Sequence, residues 1–107
     1  MDDREIDSLV AEKVMGWKPT EHPDKFTFDG GEYHIQDWST DIKAAWEVVE
    51  KLRGKDIYMR MEEFSSGWRV EFAYSDENTL GMSNRKPAPM AICLAALEAV
   101  GVGVEGE

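Results

Sequence analysis

The sequence predicts an α+β domain of order α-ββ-α-ββ-α: a four-stranded antiparallel sheet built from two hairpins and packed with three helices. Three observations carry this. Residues 26–35 and 56–74 alternate apolar and polar positions on both sides of a Gly-containing turn. Residues 4–14 and 39–53 repeat apolar positions at helical spacing. Residues 90–100 are apolar almost throughout.

The first helix is expected from about Arg4 to Val14. Asp2 and Glu5 have capping-box spacing, Ile6, Leu9, Val10 and Val14 share a face, and Gly16 is a stop. Trp17 is expected to fold back onto the core. Residues 18–25 carry Pro19 and Pro23 and no apolar side chain, which predicts a loop. Phe26-Thr-Phe28 and Glu32-Tyr-His-Ile35 flank Asp29-Gly30-Gly31 and read as a hairpin, with Phe26, Phe28, Tyr33 and Ile35 inward.

The second helix is expected to begin at a Ser39 or Thr40 cap, with Asp41 in its first turn, where the helix dipole favours negative charge. Trp38 stands before the cap as a hydrophobic staple would. Ile42, Ala45, Trp46, Val49 and Leu52 form the expected buried stripe, Glu47 and Lys51 an exposed i,i+4 pair, and Gly54 the stop.

The second hairpin joins 56–63 to 68–74. Ile57, Met59 and Met61 share one face, as do Trp68, Val70, Phe72 and Tyr74. Two registers keep these faces together. One sets Glu62 against Glu71. The other sets Arg60 against Glu71 and Glu62 against Arg69. Opposite charges across a strand pair help by ~0.2–1 kcal/mol each, so the second is predicted, with Tyr58 opposite Ala73 and Phe64-Ser-Ser-Gly67 as the loop. Ser75 to Lys86 is expected to be a polar loop.

The third helix opens around Pro87-Ala-Pro89 and runs to about Val100, ending at Gly101. Its one charge is Glu98, so burial on more than one face is expected. A surplus apolar side on it would allow self-association. The expected domain spans 1–102, with a short flexible tail at 103–107.

Two stretches carry a family resemblance. Ser39-Thr-Asp-Ile42 leads into Ala45-Trp-Glu-Val-Val-Glu-Lys51, and Ala88-Pro-Met-Ala-Ile-Cys93 opens the last helix. These resemble the phage ABA sandwich domain proteins, small proteins of phages and prophages of Gram-positive bacteria. Relatives often place a basic residue after the cysteine, where this chain has Leu94. The resemblance implies helices on both sides of a sheet and carries no activity over. The charged face of the second hairpin instead suits helices on one side, so the layer count stays open.

Net charge is −10, from 22 acidic and 12 basic residues. This disfavours direct contact with nucleic-acid phosphates, which needs clustered Lys and Arg. It leaves two readings: a soluble acidic surface, or a nucleic-acid mimic set against a basic groove. The lone Cys93 excludes an internal disulfide and fits a reducing cytoplasm. The sequence has neither a membrane-length apolar run nor a signal-peptide pattern, so no membrane is expected.

Few residues suggest chemistry. His22, Asp24 and His34 are spaced too loosely for a metal centre, and Cys93 lies amid apolar residues, where a thiol is inert. Pairing Ser39 with His34 has no orienting third group. No cofactor is expected, and no enzyme. Ser83, Asn84, Arg85 and Lys86 form the one polar, basic cluster directly before a helix start, where an anion or nucleotide would be held. The leading expectation is a non-enzymatic accessory module binding a host or phage protein; the alternative is a binder of small anions or nucleotides.

Overall fold

The structure is a computed structural model that describes residues 3–65, 67–74, 79–85 and 87–102, with only the backbone at 79–80 and 82–85. The chain runs α1 (Asp3–Leu9), a π-helical turn (Val10–Val14), β1 (Lys18–Pro19), β2 (Lys25–Phe28), β3 (Gly31–His34), α2 (Ile42–Arg53), β4 (Ile57–Phe64), β5 (Gly67–Tyr74), β6 (Thr79–Arg85) and α3 (Ala88–Ala99). The strands form two antiparallel sheets, β1-β2-β3 and β4-β5-β6.

The first helix spans the expected residues but changes pitch at Val10. Ile6, Val10, Ala11 and Val14 are buried and Leu9 is half-buried. The wider π turn brings Ala11 inward beside Val10 and lets the Trp17 N–H donate to the Ala11 carbonyl at 2.8 Å. Gly16, at φ 78°, makes the left-handed exit. Asp2, the expected cap, lies outside the described residues.

The expected loop at 18–25 is in part a strand. Thr20 folds it: its hydroxyl donates to the Lys25 carbonyl at 2.9 Å and accepts from the His22 N–H at 3.2 Å. That turn lays Lys18 opposite Thr27 and Pro19 opposite Phe26. A proline is tolerated here because β1 is an edge. The expected hairpin follows, with Phe26 opposite Tyr33. Asp29 and Gly30 both have positive φ (51° and 80°), as a type I′ turn requires.

Helix α2 covers its expected span, with two corrections. Asp41, not Ser39 or Thr40, is the cap and accepts the Lys43 N–H at 2.9 Å. Ser39 is engaged elsewhere: its N–H donates to the Asp7 carboxylate and its hydroxyl to the Asp3 carbonyl. The buried stripe is Ala45, Val48, Val49 and Leu52, rotated from the expected one, so Ile42 and Trp46 are exposed. Trp38 is fully buried.

The second hairpin has the predicted register. Arg60 lies opposite Glu71, Glu62 opposite Arg69 and Tyr58 opposite Ala73. Arg60 Nη1 reaches Glu71 Oε1 at 3.6 Å. The strands continue to Phe64 opposite Gly67.

The single four-stranded sheet is not what forms. The hairpins lie in separate sheets, each with a third strand. The polar loop expected at 75–86 contains β6, paired along β5 with a register shift at Phe72/Ala73. Its alternation is hidden because Gly81 and Ser83 occupy the positions opposite Phe72 and Val70. A Cβ at Gly81 would collide with the Ala95 carbonyl and the Ala99 backbone, so the glycine permits β6 to lie against α3.

Ala91 to Leu97 are seven consecutive buried residues. Helix α3 packs on β5 and β6, on α2, and on α1 with the π turn. Its apolar sides are therefore consumed inside the chain, and the surplus side expected for self-association is absent from this stretch. α2 lies beside α3 and packs on β4. Both helices cover one face of β4-β5-β6, while Tyr58, Arg60 and Glu62 on the other face are exposed. The tail at 103–107 lies outside the described residues.

Candidate binding surface

The sheet β1-β2-β3 is built outward from three tryptophan and phenylalanine side chains at its base. Phe26 is buried. Trp17, half-buried, stands 6.2 Å from the Phe26 ring and 5.2 Å edge-on to Trp38. The Trp38 indole N–H donates to Glu47 Oε1 at 3.4 Å, tying this base to α2. These rings take the place of a deep core, which reaches no farther into so small a sheet.

Beyond that base the aromatic residues run into solvent. Tyr33 stacks on Trp17 at 5.1 Å and 20° yet is 44% exposed; Phe28 is 40% exposed. This corrects the inward placement that hairpin alternation predicts for both. They do share a face with Phe26, but only Phe26 lies where the core reaches. Lys51 Nζ lies 5.5 Å from the Phe28 ring, a cation–π contact. Lys51 and Glu47 are thus turned toward aromatic partners.

Phe28 forms the apolar wall of a groove of about 620 Å³, closed by Gly16, Lys18, Thr27 and the Asp29–Gly31 turn. Glu32 also lines it and is drawn toward Lys25, Nζ to Oε1 3.8 Å. The groove therefore offers an aromatic side, one ammonium and two carboxylates around an open mouth.

The buried polar groups lie elsewhere. Asp7 is 3% and Ser39 1% exposed, with the Ser39 N–H on Asp7 Oδ1 at 2.8 Å. Desolvation raises the Asp7 pKa despite that hydrogen bond. Cys93 is fully buried, and desolvation, with Asp7 nearby, pushes its thiol far above the ordinary range. A thiol held protonated is no nucleophile.

Of the residues singled out in the sequence, Ser83, Asn84 and Arg85 lie in β6, opposite Val70, Arg69 and Trp68; Lys86 lies outside the described residues. The expected loop before a helix start is a strand over three of the four positions. Pro87, at the cap of α3, makes no side-chain cap hydrogen bond. His22 and His34 are exposed, and Asp24 is paired with Arg4. Among the described residues no three His, Cys, Asp or Glu side chains group as a metal site. Likewise, no described helix is long and apolar enough to cross a membrane.

Sequence reasoning missed the groove. Its signal was Asp29-Gly30 with Phe28 beside it, which reads equally as a hairpin turn and nothing more.

A family model, the phage ABA sandwich domain, matches residues 8–97. The chain belongs to the phage ABA sandwich domain family. The match begins in α1 and ends in α3, so it takes in both sheets and the groove. A 2.0 Å crystal structure of a phage protein from Bacillus cereus ATCC 14579 is similar over nearly the whole length. It is 29% identical with a TM-score of 0.81, and the match covers 98% of this chain and 93% of that one. No protein of curated function matches. The chain is thus similar in sequence to the phage ABA sandwich domain and in fold to a phage protein.

Proposed function

We propose that this chain is a phage or prophage accessory protein that acts in the bacterial cytoplasm by binding a host or phage protein, without catalysis. One observation supports this most: Phe28 and Tyr33 stand exposed beside an open groove of about 620 Å³. Both lie past Phe26, where the core ends, so their outer faces are open to another surface. Exposed aromatic clusters mark contact surfaces, and rigid rings lose little entropy on binding. The acidic surface adds preference for a partner with a basic rim.

The test is affinity capture with the wild type and with a Phe28→Ser, Tyr33→Ser double variant, from host cells and by co-expression with phage proteins. A protein retained by the wild type and lost by the folded variant is expected. Equal retention would move the contact elsewhere, and no retained protein would remove the reading.

The second reading, a small anionic ligand at Ser83, Asn84, Arg85 and Lys86, rests on the two basic side chains alone. Pro87 and Pro89 withhold two N–H donors from the adjoining helix start. A thermal-shift screen with nucleotides separates the two: stabilisation by any of them would favour it.

A further inference from the structure

The strand β4 is an edge. It pairs with β5 on one side, and among the described residues no strand lies on the other. At eight residues it is a long edge, and an open edge is a template for another strand. Its solvent face reads Tyr58, Arg60, Glu62, Phe64, all exposed.

That order is complementary to itself when reversed. In an antiparallel pairing of two copies about Met61, Tyr58 meets the second copy's Phe64 and Arg60 meets the second copy's Glu62. Two-fold symmetry repeats both pairs. Neighbouring registers fail. Shifting the axis by one residue on either side sets Arg60 against Arg60 or Glu62 against Glu62. A slip of half that step turns the second copy's helices to the opposite side of the sheet. Arg60 keeps its contact with Glu71 within the chain, and a guanidinium has donors for a second carboxylate.

The helix above this edge has a matching feature. Glu47 and Lys51, on one flank of α2, meet Trp38 and Phe28. Ile42 and Trp46, 49% and 44% exposed, lie on the opposite flank. α2 packs on β4, the strand with the open edge, and on α3.

We propose that β4 is the contact edge of a two-fold homodimer, pairing antiparallel about Met61 and joining two three-stranded sheets into one of six strands. The occupant is a second copy because the edge complements itself in charge and in aromatic content. This stands apart from the groove reading, since β4 and the groove involve different sheets.

Charge reversal tests it. Arg60→Glu alone turns both symmetry-related charge pairs into facing carboxylates. Glu62→Arg alone turns both into facing guanidinium groups. Mixed together, the two variants restore both attractions. Sedimentation equilibrium from low to high micromolar concentration is expected to show wild-type dimers and self-association at least about tenfold weaker for each variant alone. Native mass spectrometry of the mixture is expected to show the heterodimer. A wild type that stays monomeric throughout overturns the proposal. So do single variants that dimerise as the wild type does, or a mixture that stays monomeric.

Discussion

The backbone N–H of Ser39 donates to the carboxylate of Asp7 at 2.8 Å, and both residues are buried. The bond joins residues 32 apart, α1 to the chain entering α2. It holds Trp38, the neighbour of Ser39, in its buried place at the base of the exposed sheet. With the Ser39 hydroxyl donating to the Asp3 carbonyl, Ser39 is held against α1, and Asp41 caps α2.

Removing that acceptor is costly. Asp7→Ala leaves a buried N–H unpaired and should destabilise the fold by about 1–3 kcal/mol in urea unfolding. Asp7→Asn keeps an acceptor and should lose less.

Both variants also differ from the wild type in their response to pH, since neither can ionise at residue 7. Burial raises the folded-state pKa of Asp7, so its contribution to stability is fullest below the ordinary carboxylate value and is lost as pH rises through the raised one. Asp7→Asn cannot ionise. Its stability relative to the wild type should therefore be higher at pH 7 than at pH 4. An unchanged difference across that range would contradict the buried carboxylate.

Gly81 should tolerate nothing larger. A Cβ there meets the backbone of Ala95 and Ala99, which cannot move as a side chain could. Gly81→Ala should destabilise by at least ~1–3 kcal/mol through overpacking between β6 and α3. Gly30, whose added Cβ would meet nothing, is the comparison: only its φ of 80° opposes a side chain. Gly30→Ala should cost about 1 kcal/mol. Equal losses in urea unfolding would show that β6 does not lie against α3 as described.

Two tryptophans on either side of the α2 start should behave oppositely. Trp38→Ala removes a fully buried side chain and should cost about 3–5 kcal/mol. Trp46→Ala, at a half-exposed position, should cost under about 1 kcal/mol. Thermal unfolding of both variants checks this.

Much of this fold is legible in the chain. The charges at Arg60, Glu62, Arg69 and Glu71 select one register of the second hairpin, because adjacent registers juxtapose like charges. Cap and stop signals place α2 within a residue or two. Other features are not legible. β1 and β6 are short or polar strands: a local side-chain turn at Thr20 sets the pairing of β1, and the close approach of α3 at Gly81, a tertiary effect, sets β6 in place. The stripe on α2 is set by where α3 and β4 stand, so periodicity alone puts Trp46 in the core. The candidate groove is invisible because hairpin alternation marks Phe28 and Tyr33 as inward, whereas the core ends at Phe26. The cluster 83–86 reads as a loop because its polar run hides a strand position.

The face carrying Phe28 and Tyr33 is the proposed protein-binding surface. Hydrogen–deuterium exchange of the captured complex against the free chain tests it most directly. Slowed exchange is expected over 16–18 and 25–34, which line or border the groove. Exchange unchanged there, with protection confined to other segments, would contradict it.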